Sequence, residues 1–452
     1  MRFFFDHALL PEGWARDVGL DIEAGDIARV TVGAPSNGCE RISGIALPGL
    51  ASLHSHAFQR GMAGLAETRV SGSDSFWSWR QVMYRFVDGL TPEDLEAIAC
   101  FAFMEMLEAG FTAVGEFHYL HHDRDGRPFR DIAEMCARIA AAAATTGIGL
   151  TLLPSFYAYG GFGGTPPGDA QRRFFNAPDR FLRLLESART AVSGLPDAAV
   201  GIAPHSLRAV TPDTLQAVVD ASPEGPIHIH VAEQLREVEE CLVWSGNRPV
   251  EWLLANAPID QRWCLIHATH MTMEETRALA ESCAVAGICP LTEANLGDGV
   301  FDAPTFLEAQ GRFGVGSDSN VEITAPGELK QLEYGQRLAL RARNVFPREA
   351  GESTGARLYR GALAGGSQAL GRRIGALAEG FRADFVVLDS NHPDLATVTG
   401  DRWLDSYIFV TGKSVIDSVF VGGDRVVRGG RHRGRDALTQ RYLSTLARLA
   451  LQ

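Results

Sequence analysis

The chain has 452 residues, 46% hydrophobic and 21% charged, an ordinary globular composition with ample length for a large core. Its 42 basic and 55 acidic side chains leave a formal charge of −13, which argues against nucleic acid or an anionic membrane as the main partner. Seven cysteines at irregular spacings form no CxxC pair and read as reduced, mostly buried thiols. The N-terminal MRFFFDHALLPEG is interrupted by Asp6 and His7 before an apolar signal core can form. The most apolar run, 139–153, is broken by Thr145, Thr146, Gly147 and Gly149, so no membrane span is expected and a cytoplasmic location is the default.

Residues up to about 41 carry short β-like pieces at 18–22 and 27–32, separated by Gly and Asp. From residue 45 short apolar runs alternate with helical stretches. The runs are 45–53, 112–117, 148–153, 200–203, 226–231, 263–266, 284–288 and 312–316, and helices are predicted at 92–109, 131–145, 179–192, 212–220 and 273–282. The first helix opens on Pro92 and is followed by Gly110, as helix ends prefer. Eight buried runs with helical crossovers predict an α/β fold, a parallel sheet closed into a (β/α)8 TIM barrel over 47–375. Two more helices, 328–343 and 353–370, precede a return to β texture at 384–389, 415–421 and 424–427, with Gly422-Gly423 as a hairpin turn. Segments 1–46 and 376–430 are expected to pair in one small β-sandwich-like domain built from both termini. An amphipathic C-terminal helix is predicted over 436–452.

The chain is organised around ALPGLASLHSHAFQRGMAG, residues 46–64. Residues two apart in a strand point to the same side, so His54 and His56 face one way at a strand's end. Two neutral imidazoles suit a zinc-type ion better than calcium or magnesium, which prefer oxygen. Alone, the pair describes two polar side chains at a barrel mouth equally well, and the rest of the chain must supply the missing ligands.

Working residues of such barrels sit at the C-terminal ends of strands. Those positions hold Glu116, His118 and Tyr119 after the second run, His205 after the fourth, His230 and Glu233 after the fifth, His267 after the sixth and Asp318 after the eighth. His54, His56 and His230 with nitrogen and Asp318 with oxygen make a metal-ligand set that leaves room for water, the open coordination of a catalytic centre. Such an ion brings the pKa of water to roughly 7. Glu233, three residues past His230, is the expected proton shuttle, the alternative being a helix N-terminal acid favoured by the macrodipole. His267 would stabilise the developing oxyanion, and Asp318 doubles as an assisting base. His228 reads as a deeper core histidine, and His121, His122 and His270 read as loop residues.

Taken together, PGLASLHSH, the HVAE around His230, the later His267, GVGSDSN around Asp318 and ADFVVLD at 383–389 resemble the amidohydrolase superfamily, of the mononuclear deaminase type, across nearly the whole chain. Within it, LHSHAFQRGMAG, SFWSWRQVMYRF at 75–86, EFHYLHHD at 116–123 and PHSLRAV at 204–210 resemble the N-formimidoyl-L-glutamate deiminases of histidine degradation. That resemblance implies hydrolysis of a small dicarboxylate amidine, formimidoylglutamate, to N-formyl-L-glutamate and ammonia. It also implies substrate contacts from Gln59, Arg80, Tyr119, His205 and Arg208, and one divalent ion, for which zinc fits the ligands. Lys330 and Lys413 are the only lysines and neither falls between the first and seventh runs, so the bridging carboxylated lysine of many two-metal relatives has no candidate there and a single ion is expected.

A guanidinium fork holds a carboxylate bidentately, and Arg80 and Arg208 are expected on loops leaving the catalytic face. Arg60, Arg69 and Arg85 lie close to Arg80 in sequence, but the flanking Trp77 and Trp79 favour Arg80. Two other readings compete. A deaminase acting on a nucleobase or nucleoside would need stacking and amide-type contacts instead of two arginines. A non-catalytic barrel scaffold would be expected to have lost ligands, and all four are present. A homodimer is a guess from the class.

Overall fold

The computed structural model describes residues 1–69 and 75–450. One set of strands forms an eight-stranded sheet in the order Arg431–His432, Asp424–Arg428, Ile416–Val421, Phe385–Leu388, Glu40–Pro48, Arg2–Leu10, Gly13–Glu23 and Asp26–Val32. The two ends of the chain meet where Phe385–Leu388 runs antiparallel to Glu40–Pro48. The expected hairpin is present, with Gly422 and Gly423 at φ of 57° and 81°, a backbone that glycine adopts without strain. Phe3 and Phe420 lie three strands apart in this order, about 14 Å in a flat sheet at roughly 4.8 Å per strand. Their ring centroids are 5.3 Å apart, and Phe385 stacks on Phe420 at 4.4 Å. The expected sandwich is therefore a single sheet curled onto its own apolar face, around Phe3, Phe5, Leu20, Ile27, Phe385 and Phe420.

The remaining strands form two parallel arcs. The first comprises Leu50–Ser55, Phe111–His118, Gly149–Phe156 and Ala199–Val200, with Ala203–Pro204 also pairing the third of these. The second comprises Ile227–Val231, Trp263–His267, Val285–Ile288 and Arg312–Val315. Most of these strands are buried along their entire length, which is why they read as unbroken apolar runs. Isolated parallel bridges Ile202–Ile227 and Ser206–His230 link the arcs on one side, and Ser55–Asp318 links them on the other.

The run expected over 45–53 is two strands, one in each sheet system, divided at Gly49. A Cβ there would stand 2.2 Å from the Thr112 hydroxyl, so the chain can pass between the sheets only without a side chain. The eight expected helices are present within a few residues; Thr91, for example, caps Pro92–Glu108 in a capping box with Asp94. Seven others among the described residues were not expected: Phe76–Asp88, Leu235–Ser245, Pro249–Asn256, Pro290–Leu296, Ala303–Glu308, Pro393–Ala396 and Asp401–Ser406. The C-terminal helix, Arg435–Leu449, lies on Pro92–Glu108, with Tyr442 stacked on Phe101 at 4.0 Å; residues 451–452 of the expected helix lie outside the described residues. No helix among the described residues is long and apolar enough to cross a membrane.

Helix Thr354–Leu370 approaches the second arc through Gly365, where a Cβ would stand 1.8 Å from the Phe313 carbonyl oxygen. Gly365→Ala should lower the unfolding free energy by about 1–3 kcal/mol, the usual range for overpacking. Gly194→Ala, at a position with open space, should be near neutral in the same urea titration.

Candidate active site

The C-terminal ends of the arcs bring His54, His56, His230 and Asp318 together. His230 Nε2 is 3.2 Å from His54 Nε2 and 3.3 Å from His56 Nε2, and one Asp318 carboxylate oxygen is 3.4 Å from both His54 and His56. A tetrahedral ion with bonds of about 2.0–2.1 Å has ligand edges of roughly 3.3–3.4 Å, so the spacing fits a small divalent cation. The hydrogen bonds fit as well. His56 Nδ1 donates to the Phe117 carbonyl and His230 Nδ1 to the His205 carbonyl, each at 2.8 Å, which leaves the Nε2 lone pairs pointing inward. Burial, then the neighbouring imidazoles, holds His54 and His230 well below the usual histidine range, which favours neutral imidazoles there.

Non-glycine residues in the left-handed region collect around this centre: Ala232, His267, Ala268, Asp318 and Asn320 have φ between 44° and 68°. These turns aim the site's side chains and are held by buried acids. Glu237, fully buried, accepts from the Ala232 and Glu233 backbone N–H groups at 3.1 and 3.2 Å. Glu293 lies 3.2 Å from His267 Nδ1 and also accepts from the Cys289 N–H. His267 Nε2 thereby faces Glu233 at 3.7 Å and Asp318 at 3.8 Å. Burial alone would lower the His267 pKa, but Glu233, Glu293 and Asp318 together push it up to about 10. Burial pushes the Glu233 carboxyl up to about 7 against the opposing pull of His267 and Arg208, and Asp298, buried beside Glu233, up to about 9. Glu116, raised to about 8 by burial, accepts from the Ala57 N–H and so fixes the short turn that carries Gln59.

A cavity of about 710 Å³, mouth included, opens over the centre and is lined by every predicted site residue except His54, which lies behind His56 and His230. Gln59 donates to the Tyr119 hydroxyl at 2.9 Å, and its own carbonyl oxygen is buried without a partner. His205 packs against Tyr157 and His230, with ring centroids at 4.6 and 4.9 Å. Arg208, 9% exposed, has its Nη1 unpartnered and its Nη2 3.8 Å from Glu237. Arg80 does not lie on a loop as expected: it sits on helix Phe76–Asp88, which Ser75 caps and whose Phe76, Met83, Tyr84 and Val87 are buried. Its guanidinium stacks 4.5 Å over Trp77, and Nε is buried without a partner. Arg60 is turned elsewhere, paired with Glu105 at 2.6 Å. His228 bonds the Ala369 carbonyl deep in the core, as its position on the strand suggested. The sequence reading missed Glu237, Glu293, Asp298 and the wall formed by Trp79, Tyr157 and Phe174; only Glu293, just past the seventh strand, could have been found by the strand-end rule.

Residues 45–426 match the amidohydrolase family. The chain belongs to the amidohydrolase family. Residues 1–44 match the family described as formimidoylglutamate deiminase HutF, N-terminal domain. A formimidoylglutamate deiminase of Pseudomonas aeruginosa is 51% identical over 99% of both chains. The crystal structure of an amidohydrolase from Brucella melitensis superposes with a TM-score of 0.96 at 53% identity, again over 99% of both chains. The atrazine chlorohydrolase of Arthrobacter aurescens complexed with zinc has a TM-score of 0.84 at 19% identity, over 98% of this chain and all of that one, a likeness of fold alone. The architecture is thus the α/β, TIM-barrel-type fold of this family.

Glu237 joins the Glu233 turn to Arg208. Removing it in Glu237→Ala strands two N–H groups and a buried guanidinium, and should cost about 2–5 kcal/mol in urea unfolding. Glu237→Gln, which keeps an acceptor oxygen, should cost less.

Proposed function

We propose that this chain hydrolyses N-formimidoyl-L-glutamate to N-formyl-L-glutamate and ammonia. Its 51% identity to the Pseudomonas enzyme supports the reaction. One observation carries the substrate assignment. The same cavity is lined by the histidine–aspartate centre and by two guanidiniums, the half-buried Arg80 and the buried Arg208, each with a buried nitrogen (Nε of Arg80, Nη1 of Arg208) unpartnered among the described residues. Such groups call for an anionic ligand, and formimidoylglutamate offers two carboxylates beside its amidine. In the same reading the bridges Ile202–Ile227 and Ser55–Asp318 close the two arcs into one (β/α)8 barrel, 47–375, beside a small domain of 1–46 and 376–430 and the C-terminal helix.

One divalent ion, for which zinc suits the three nitrogens and one carboxylate, would be held by His54, His56, His230 and Asp318. When bound it supplies hydroxide at neutral pH by bringing the pKa of water to about 7. Arg80 and Arg208 anchor the glutamate carboxylates, while Gln59, Tyr119 and His205 orient the amidine over the centre. As water adds to the formimidoyl carbon, Glu233 takes its proton and passes it to the imino nitrogen. The remaining hydroxyl proton, drawn off by Asp318 as assisting base, reaches the same nitrogen by way of Glu233, and the C–N bond breaks to release ammonia and leave the formyl C=O. Asp318 accepts a hydrogen bond from the nucleophile, and His267, held through Nδ1 by Glu293, donates from Nε2 to the oxygen on which negative charge develops. The aromatic wall of Phe76, Trp79, Tyr84 and Phe174 limits the water that reaches the reacting carbon.

Two measurements test this reading. In an ammonia-release assay on metal-replete protein, formimidoylglutamate should turn over and guanine, adenosine and cytosine should not; the reverse pattern replaces the assignment with a nucleobase deaminase. Glu233→Gln should lower kcat by about 10²- to 10⁴-fold, the worth of a general acid–base group, with the metal content unchanged.

A further inference from the structure

Outside the catalytic cavity a second set of ligating side chains is buried together. His118, His121 and Cys136 are each at most 1% exposed, and their ligand atoms lie within 4.8 Å of one another. His121 Nε2 donates to the Ser155 carbonyl at 2.9 Å, so its Nδ1 carries a lone pair, and that nitrogen is buried without a partner. This is the device that orients His56 and His230 in the catalytic centre: one ring nitrogen is tied to a backbone carbonyl, which leaves the other free as a ligand. His118 makes no hydrogen bond of normal geometry through either ring nitrogen, with only the Leu120 backbone nearby. Cys136 is the third residue of helix Glu134–Thr146, and burial together with Asp131 holds its thiol above the ordinary range, so an incoming cation displaces the thiol proton as it binds. The Ser155 hydroxyl, one residue past Pro154, the register partner of His118, is also buried and unpartnered. Orphaned acceptors gathered in an apolar interior are costly unless something satisfies them.

We infer that His118, His121 and Cys136 form a second metal site that takes a zinc-type cation. Two imidazole nitrogens and one thiolate are a borderline-soft set that favours zinc over calcium or magnesium, and Ser155 is placed to offer an oxygen as the fourth ligand. Bonds of about 2.0–2.3 Å require the ligand atoms, now within 4.8 Å of one another, to draw in by roughly 1 Å as the ion binds. Burial closes the site to substrate, so its role is structural. It fastens helix Glu134–Thr146 to the end of strand Phe111–His118, the strand that gives the Phe117 carbonyl to His56 and precedes Tyr119 in the cavity wall. The inference does not rest on the hydrolase reading and is tested without measuring turnover.

The test is metal analysis with cobalt substitution on the full-length protein. Wild-type protein dialysed against zinc should hold two ions per chain. Its cobalt form should show thiolate-to-cobalt charge transfer in the near ultraviolet, which the thiolate-free catalytic set does not produce. Cys136→Ala should retain one ion and lose the band, while Cys289→Ala, beside His267, should keep the band. One ion per chain with no charge-transfer band in the wild type overturns the inference, as does a Cys136→Ala protein that still holds two. If Cys136→Ala fails to fold, the wild-type stoichiometry and band decide the matter, and His118→Asn should again hold a single ion.

Discussion

The whole site depends on an arrangement that the polypeptide alone does not favour. Three imidazole nitrogens and a carboxylate oxygen converge in the protein interior, the nearest pairs 3.2–3.4 Å apart, with the lone pairs of His56 and His230 directed inward. Without a cation these groups repel, and burial removes the water that would otherwise solvate them. The fold maintains the arrangement through covalent and backbone constraints. His54 and His56 are fixed by strand periodicity, His56 and His230 are oriented by main-chain carbonyls, and Asp318 is tied in by backbone hydrogen bonds between His54, His56 and Asp318. The same logic explains the positive φ angles at Ala232, His267, Ala268, Asp318 and Asn320: strained turns cluster where side chains must be aimed, and the rigid parallel strands beneath them sustain the cost.

Around that centre charge is separated within one cavity. The acids Glu233, Glu293, Asp298 and Asp318 gather on the His267 side, while Arg80, on helix Phe76–Asp88, and Arg208 gather around Trp77 of that helix. In a chain of net charge −13 two arginines lining one cavity are a local reversal of sign. Glu237 links the two regions, since its carboxylate fixes the turn that presents Glu233 and faces Arg208. The turn that carries Glu233 and the guanidinium of Arg208 are therefore mechanically joined through one buried side chain.

Much of this was legible in the sequence because it depends on local periodicity. Two-residue spacing predicted that His54 and His56 point together, and the strand-end rule found His230, His267 and Asp318 although they are far apart in the chain. The eight apolar runs were visible because parallel strands are buried on both faces. Helix Phe76–Asp88 was not, because its aromatic-rich segment was read for its likeness to a substrate loop; its Ser75 cap and buried face at 76, 83, 84 and 87 were the available signal. Pro249–Asn256, Pro290–Leu296 and Ala303–Glu308 are too short to establish a helical period. Glu237 and Asp298 owe their roles to tertiary neighbours, and the curl of the terminal sheet to aromatic packing across strands; neither is written in local spacing, whereas the place of Glu293 just past a strand was.

The cavity wall also bears on the choice between an anionic amidine and a nucleobase. Phe76, Trp79, Tyr84, Tyr119, Tyr157 and Phe174 make it aromatic enough to stack a base, so aromatic content does not discriminate. The arginines do. Stacking on Trp77 occupies the face of the Arg80 guanidinium and leaves its edge, with the N–H donors, open. Glu237 stands 3.8 Å from Arg208, beyond a normal hydrogen bond, and leaves Nη1 unpartnered. A neutral base would bury these donors without balancing their charge, at a cost of several kcal/mol per ion. A dicarboxylate balances both, and the planar stack presents each fork already oriented for bidentate capture, so little further ordering is needed on binding.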